Sequence, residues 1–353
     1  MRSNRVAVTS WLVLALVGCG GGAPPAQSAG PAAPPPGPAS PVEAPAAAAP
    51  SGPEPAASPE LVAGNKAFDA GQYAEARKHF EAAARKNAND YQATQNLGVA
   101  CEKLGDKPAA EAAYKAALAA KPELDSAAEN LSALYVDEGR FDDALAVGRA
   151  GLAKHPGSAA LHENVGVALG ARGEQDAATG ELEQAIKLTP SEPMFRLTLA
   201  HWLNVWHVKG AAAHLDAARD LVKDDYGMLA AIGLEYRMAG EFDACVKTFD
   251  RAVALKDGGE VRTERALCKH GLKDDKGMFD DLQAAVTKEP DYAPGHYYLG
   301  GRLAVAQHFK LAAAEYAKYL QLDPSGSLAK PAAERLKAAQ EAAGKDKAGP
   351  KKK

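Results

Sequence analysis

The sequence predicts an all-α solenoid of about eight stacked helix pairs closed by one further C-terminal helix. Three observations lead there. Pro122, Pro156 and Pro190 fall 34 residues apart, and Pro290 and Pro324 keep the same interval. A fixed period of this length marks one supersecondary unit stacked repeatedly. Within each period the same residue types recur at the same offsets, and the alanine-rich composition carries no strand signal of any length.

Taken in chain order, the first element stands outside the solenoid. Arg2 and Arg5 precede an apolar run, Val6–Val17, which is too short to span a bilayer and has the length of a signal-peptide core. The run ends in Leu16-Val17-Gly18-Cys19, which resembles the bacterial lipobox. That resemblance implies cleavage of residues 1–18 and lipidation of Cys19, an anchor that needs no transmembrane helix. The alternative is an ordinary signal peptide with an incidental cysteine. Gly20 follows the cysteine where aspartate would signal retention, so resemblance to Gram-negative lipoproteins implies transfer to the outer membrane, facing the periplasm. Residues 20–56 are almost wholly Gly, Ala, Pro and Ser and cannot bury a core. With Cys19 they read as a tether that, extended at roughly 3 Å per residue, reaches on the order of 100 Å. A passive spacer of no required length is the other reading.

The helix pairs follow, near 57–90, 91–124, 125–158, 159–192, 193–225, 226–258, 259–292 and 293–326. In the second, Leu97 and Gly98 lie on a first helix that Gly105 ends; Ala110, Tyr114 and Ala117 lie on a second that stops before Pro122. Leu131, Ser132, Tyr135, Gly139, Phe141, Ala144 and Pro156 repeat this grammar, as do Gly166, Gly173, Ala178, Ala185 and Pro190. Each choice has a physical cause. Glycine, alanine or serine lets two antiparallel helices cross closely, and large residues fill the space between neighbouring pairs. Glycine ends the first helix because it accepts positive φ. Proline ends the second because it cannot continue a helix. From Pro190 to Pro290 is 100 residues against 102 for three periods, so two are missing in the fifth to seventh pairs. There His207 stands where a turn glycine is expected, and Met278 stands at a small-residue position. After Pro324, Ser327–Ala343 carries Leu328 and Leu336 on one face and predicts a capping helix. Lys345–Lys353 then forms a lysine-rich tail, a solvated end or a contact with anionic envelope polymer.

These offsets resemble the tetratricopeptide repeat, over about 57–326. The resemblance implies a right-handed superhelix whose concave face is lined by the first helix of each pair. On that face Asn96, Asn130 and Asn164 recur at intervals of 34, with Glu129 and Glu163 beside them. Asparagine both donates and accepts, so such a ladder suits the backbone of an extended peptide; the competing role is a hydrogen bond to the neighbouring helix. The lysines and arginine with which the family grips acidic peptide C-termini are absent, so a groove here should prefer neutral or basic segments. Trp202 and Trp206, one turn apart in the irregular fifth pair, are either core or interface anchors. Cys101 reads as a small buried residue. Cys245 and Cys268 fall on helices that should pack together, so they are either two buried free thiols, the simpler expectation, or a disulfide that an oxidising compartment would permit.

A net charge of -4 gives no basic stripe for nucleic acid. His201, His207 and His214 are spaced by six and seven, which spreads them over different helix faces with no motif to complete a metal site. No phosphate loop, nucleophile elbow or other catalytic constellation occurs, so no catalytic residue, cofactor or enzyme activity is expected. The expectation is a lipid-anchored scaffold or assembly factor that binds protein segments of an envelope complex. Pilotin-like service to a type IV pilus secretin, gliding machinery or recruitment of peptidoglycan enzymes are its nearer alternatives. A small-ligand binder or an enzyme of unrecognised type is the one from another class.

Overall fold

The computed structural model describes residues 57–346, which fall into two compact bodies, 57–122 and 123–346. The signal segment, Cys19, the tether and the end of the lysine tail lie outside the described residues. All regular structure among the described residues is helical. The first body holds α1 (Pro59–Asp69), α2 (Tyr73–Lys86), α3 (Tyr91–Lys103) and α4 (Lys107–Ala120). The second holds α5 (Asp125–Asp137), α6 (Phe141–Leu152), α7 (Ala159–Ala171), α8 (Gln175–Leu188), α9 (Pro193–Val205) and α10 (Ala211–Leu221). It continues through α11 (Tyr226–Met238), α12 (Phe242–Leu255), α13 (Gly259–Gly271), α14 (Asp275–Lys288), α15 (Ala293–Val305), α16 (Phe309–Leu322) and α17 (Ala329–Asp346). Odd and even helices pair up to α16, giving an α-solenoid of eight helix pairs with α17 as its last element. Ala332 and Ala339 of α17 are buried against the eighth pair, with Leu328 and Leu336 half-buried beside them.

Small-to-large contacts set the crossing within a pair. Gly64 faces Phe80, Gly98 faces Tyr114, Gly166 faces Leu182, Gly233 faces Phe249 and Gly300 faces Tyr316, always sixteen residues apart. A Cβ at Gly98 would stand 2.4 Å from a ring carbon of Tyr114, so the close approach requires its absence. First helices start on side-chain caps such as Ser58, Asp90, Ser158 and Asp225, which accept the backbone N–H of the third residue on.

Every turn inside a pair passes through the left-handed region. Gly71, Gly105, Gly139, Gly173 and Gly240 supply five of these positions, at φ between 70° and 80°. His207, Lys273 and Gln307 supply the other three, at 56°, 61° and 62°. So His207 does occupy the turn position, without the residue type that suits it. Counting from turn to turn locates the two missing residues. The interval is 34 as far as His207, then 33 to Gly240, 33 to Lys273 and 34 to Gln307.

The first loss arises because α10 is cut to 11 residues while its approach gains Gly210 at φ 120°. Arg251 of α12 takes over the capping of this short helix. Its guanidinium donates to the carbonyls of Arg219, Val222 and Lys223 at 3.2, 2.5 and 2.9 Å. The second loss lies in the link Lys256–Gly258, one residue shorter than the links on either side of it.

The seventh pair departs further. Eight and four residues before the turn, the third pair has Leu131 and Tyr135, and the eighth has Leu299 and Leu303, all buried. The seventh has Arg265 and Lys269, with Arg262 a turn earlier. All three cations converge on Asp281 of α14, which is 2% exposed. Arg265 and Lys269 reach its Oδ2 at 2.8 and 2.7 Å, and Arg262 its Oδ1 at 3.3 Å. Met278, expected as a misfit, is buried in the apolar core of the seventh and eighth pairs.

Candidate functional site

The face of each first helix turned away from its partner is where the repeat pattern leaves side chains to choose. One ladder runs along it at nine residues before each turn: Asn96 in the first body, then Asn130, Asn164, Thr198, Ala231, Glu264 and Tyr298 in the second. The rungs differ in accessibility.

Asn96 Nδ2 donates to Asn65 Oδ1 at 2.8 Å. Asn164 is buried, its amide donating to Ser132 Oγ at 2.8 Å and to the Glu129 carbonyl at 3.0 Å, so it stitches α7 to α5. Glu163 is buried too and accepts from Thr198 Oγ1 at 3.0 Å, stitching α7 to α9. Glu129 accepts from Ser158 Oγ at 2.6 Å. The helix-to-helix role thus holds Asn164 and Glu163, while Asn130 remains half-exposed. The sequence offered no way to separate these, because burial at a rung depends on what the next helix presents.

The tryptophans divide likewise. Trp202 is buried under Gly170 at 5% exposure and stacks on half-buried Trp206, ring centroids 5.5 Å apart. His201 does not meet His207 or His214 at a shared site. Its Nδ1 shares a 2.7 Å hydrogen bond with Glu235 Oε1, and Asn204 Nδ2 donates to the other carboxylate oxygen at 2.8 Å. This buried triad fastens α9 to α11. His207 sits in the exposed turn, and burial with the nearby Arg196 cation holds His214 below the ordinary histidine range. Among the described residues no group of side chains could hold a metal ion.

Beyond α11 the ladder opens again. Glu264 Oε2 lies 3.2 Å from Arg237 Nε of α11. Burial raises the Glu264 carboxyl above its ordinary value; Arg237 opposes this and Glu260 adds to it. Tyr298, on the next rung, has its phenol raised by burial and by the Glu264 charge. Two residues before the turns, α9, α11 and α15 end in large apolar side chains that face solvent: Val205, Met238 and Val305, at 41%, 42% and 75% exposure. The equivalent residue of α13 is Gly271, covered by Phe242. Pattern reading missed this row because its members lie outside the positions that define the repeat.

Cys245 of α12 and Cys268 of α13 are joined as a disulfide, with Cα atoms 6.0 Å apart, in place of the two free thiols expected as the simpler case. Both are fully buried because α12 and α13 pack directly, as adjacent helices of consecutive pairs must. Cys101 is a free buried thiol, raised by desolvation.

Comparison with known proteins places this geometry. A family model described as tetratricopeptide repeat matches residues 61–125 and 131–193. The human protein O-mannosyl-transferase TMTC1 is 26% identical over 254 residues, which is 67% of this chain and 23% of that protein. The chain therefore spans about a quarter of the length of this curated relative. Among solved structures, yeast Tom70 superposes with a TM-score of 0.52 at 14% identity, over 82% of this chain and 64% of that one, a likeness of fold alone. A tetratricopeptide repeat protein from Parabacteroides merdae gives 0.45 at 17% identity, over 80% and 97%.

Proposed function

We propose, from the premise that tetratricopeptide repeats are present in this chain, that it is a non-enzymatic scaffold for protein segments, carried by a lipid on Cys19 at the periplasmic face of the outer membrane. The carrying observation is the row of Val205, Met238 and Val305. Large apolar side chains held in solvent at equivalent positions of stacked helices are a recurrent mark of protein–protein contact. Beside the row stand the half-exposed rungs Asn130, Glu264 and Tyr298, able to bond a backbone. Of the charged side chains on this face, Glu129, Asp137, Glu260 and Glu264 outnumber Arg237 and Arg335, an excess that favours a neutral or basic segment.

Export is supported by one further feature. A disulfide persists in oxidising compartments and rarely in reducing ones. No described helix is long and apolar enough to cross a membrane. The transferase activity in the relative's name is not carried over, since the match covers a minor part of it.

The test places a photo-crosslinking residue in turn at Val205, Met238 and Val305 in the native membrane. One shared crosslinked partner is expected, lost when Met238→Glu is added. No adduct at any of the three, or adducts indifferent to that charge, would count against the reading.

A further inference from the structure

The junction between the sixth and seventh pairs is built differently from those on either side. The apolar cluster of α13–α17 draws on Ala266, Met278, Leu282 and the tyrosines of the eighth pair, and contains no residue of α11 or α12. Where a neighbouring pair has leucine, α13 has Arg265 and Lys269, committed to Asp281, and Arg265 also reaches Asp250 of α12 at 2.8 Å. Charge pairs of this kind recover little net free energy, because each ion gives up hydration to form them. The link Lys256–Gly258 is short, and both one-residue losses of register flank the sixth pair. α12 and α13 pack directly, and the contacts that cross the junction include Phe242 over Gly271, the Arg265–Asp250 pair, and the covalent bond from Cys245 to Cys268.

We infer that this junction is a joint that oxidation locks: α13–α17 close on α12 only transiently while Cys245 and Cys268 are thiols, and stay closed once they are joined. The chemistry is thiol–disulfide exchange. One cysteine thiolate attacks a disulfide-bearing oxidant to form a mixed disulfide. The other then attacks the mixed disulfide and expels the oxidant as its dithiol. Two protons and two electrons leave the protein as one S–S bond forms. Both sulfurs have no accessible surface when the joint is closed, so the oxidant meets them in the open state and a reductant cannot reach them in the locked one.

The joint also carries the Arg237–Glu264 pair, with Arg237 on α11 and Glu264 on α13. Opening separates that pair and disassembles part of the face proposed for partner binding. The inference concerns the joint alone and holds whether or not a partner docks there.

Hydrogen exchange on the full chain tests it, comparing oxidised protein with protein reduced in urea and refolded under a phosphine. Closing a loop of this length by a disulfide is worth on the order of a hundredfold in an opening equilibrium. Amides of α13–α16 are therefore expected to exchange on the order of a hundredfold faster in the reduced protein, while α5–α8 are unchanged. Cys245→Ala with Cys268→Ala should reproduce the fast pattern and be indifferent to phosphine. If that variant fails to fold, the two redox states of the native sequence decide the matter. Protection of α13–α16 that agrees within twofold between the states would overturn the inference. So would an even loss across residues 123–346, or free thiols at both positions after exposure to a disulfide oxidant.

Discussion

Asp281 is the residue on which the seventh pair depends. Its carboxylate is buried, which alone would raise its pKa, but hydrogen bonds from Arg265 and Lys269 outweigh burial and hold it below the ordinary range. Asp281→Ala strips Lys269 of its carboxylate and leaves Arg265 and Arg262 only Asp250 and Asp257, and is expected to cost about 3–5 kcal/mol in urea unfolding. Replacing Arg265, Lys269 and Asp281 together by leucines of the kind found in the eighth pair should cost far less, or stabilise. The pH dependence follows in sign. A group depressed on folding contributes its stability in full above its unfolded value of about 3.9, and that contribution is lost as pH falls through the folded value. The difference in melting temperature between native protein and Asp281→Asn should accordingly shrink below about pH 4. These cations were within reach of pattern reading, four and eight residues before the turn. They were overlooked because Lys273 disguises the turn from which those offsets are counted.

At the scale of the element, the turn and the helix crossing carry separate costs. His207, Lys273 and Gln307 hold left-handed backbone that a side chain disfavours by about 1–2 kcal/mol, against which glycine loses some unfolded-state entropy. Gln307→Gly is therefore expected to stabilise by about 0.5–1 kcal/mol, readable as a rise in melting temperature, and Gly105→Gln to destabilise similarly. Gly98→Ala tests the crossing: with Tyr114 in the way, a loss of about 1–3 kcal/mol is expected. Five turns were legible as glycine and five crossings as small residues followed by large ones. The remaining turns were legible only as an interval, since nothing in the chemistry of histidine, lysine or glutamine announces positive φ. Individual rungs of the ladder were less legible still. Asn130 and Asn164 hold the same place in the repeat and each follows a glutamate, yet Ser132 accepts from the second and no described residue bonds the first.

For the molecule as a whole, the architecture was carried by one number, the 34-residue period, because stacking needs every pair to present the same surfaces. The proposed attachment through Cys19 rests on a different and local signal. Cys19→Ala is expected to move the protein from the membrane pellet to the soluble periplasmic fraction without changing its far-ultraviolet circular dichroism. Persistence in the pellet would argue for another anchor. A partner's identity was never going to be legible, since the contacting row obeys no repeat rule.

The uneven turn-to-turn count has a last consequence, for how the chain can be cut and rejoined. Within 123–346, excision of 140–173 removes one whole period between turns of equal spacing, and the surfaces brought together are ones already shaped for each other. A cut of the same length starting at 208 lands out of phase by one residue, turning the following helix about 100° away from the face it should present. The early pairs are interchangeable parts; the fifth to seventh are fitted to their places, and recombination among such repeats could shuffle the former while leaving the latter intact.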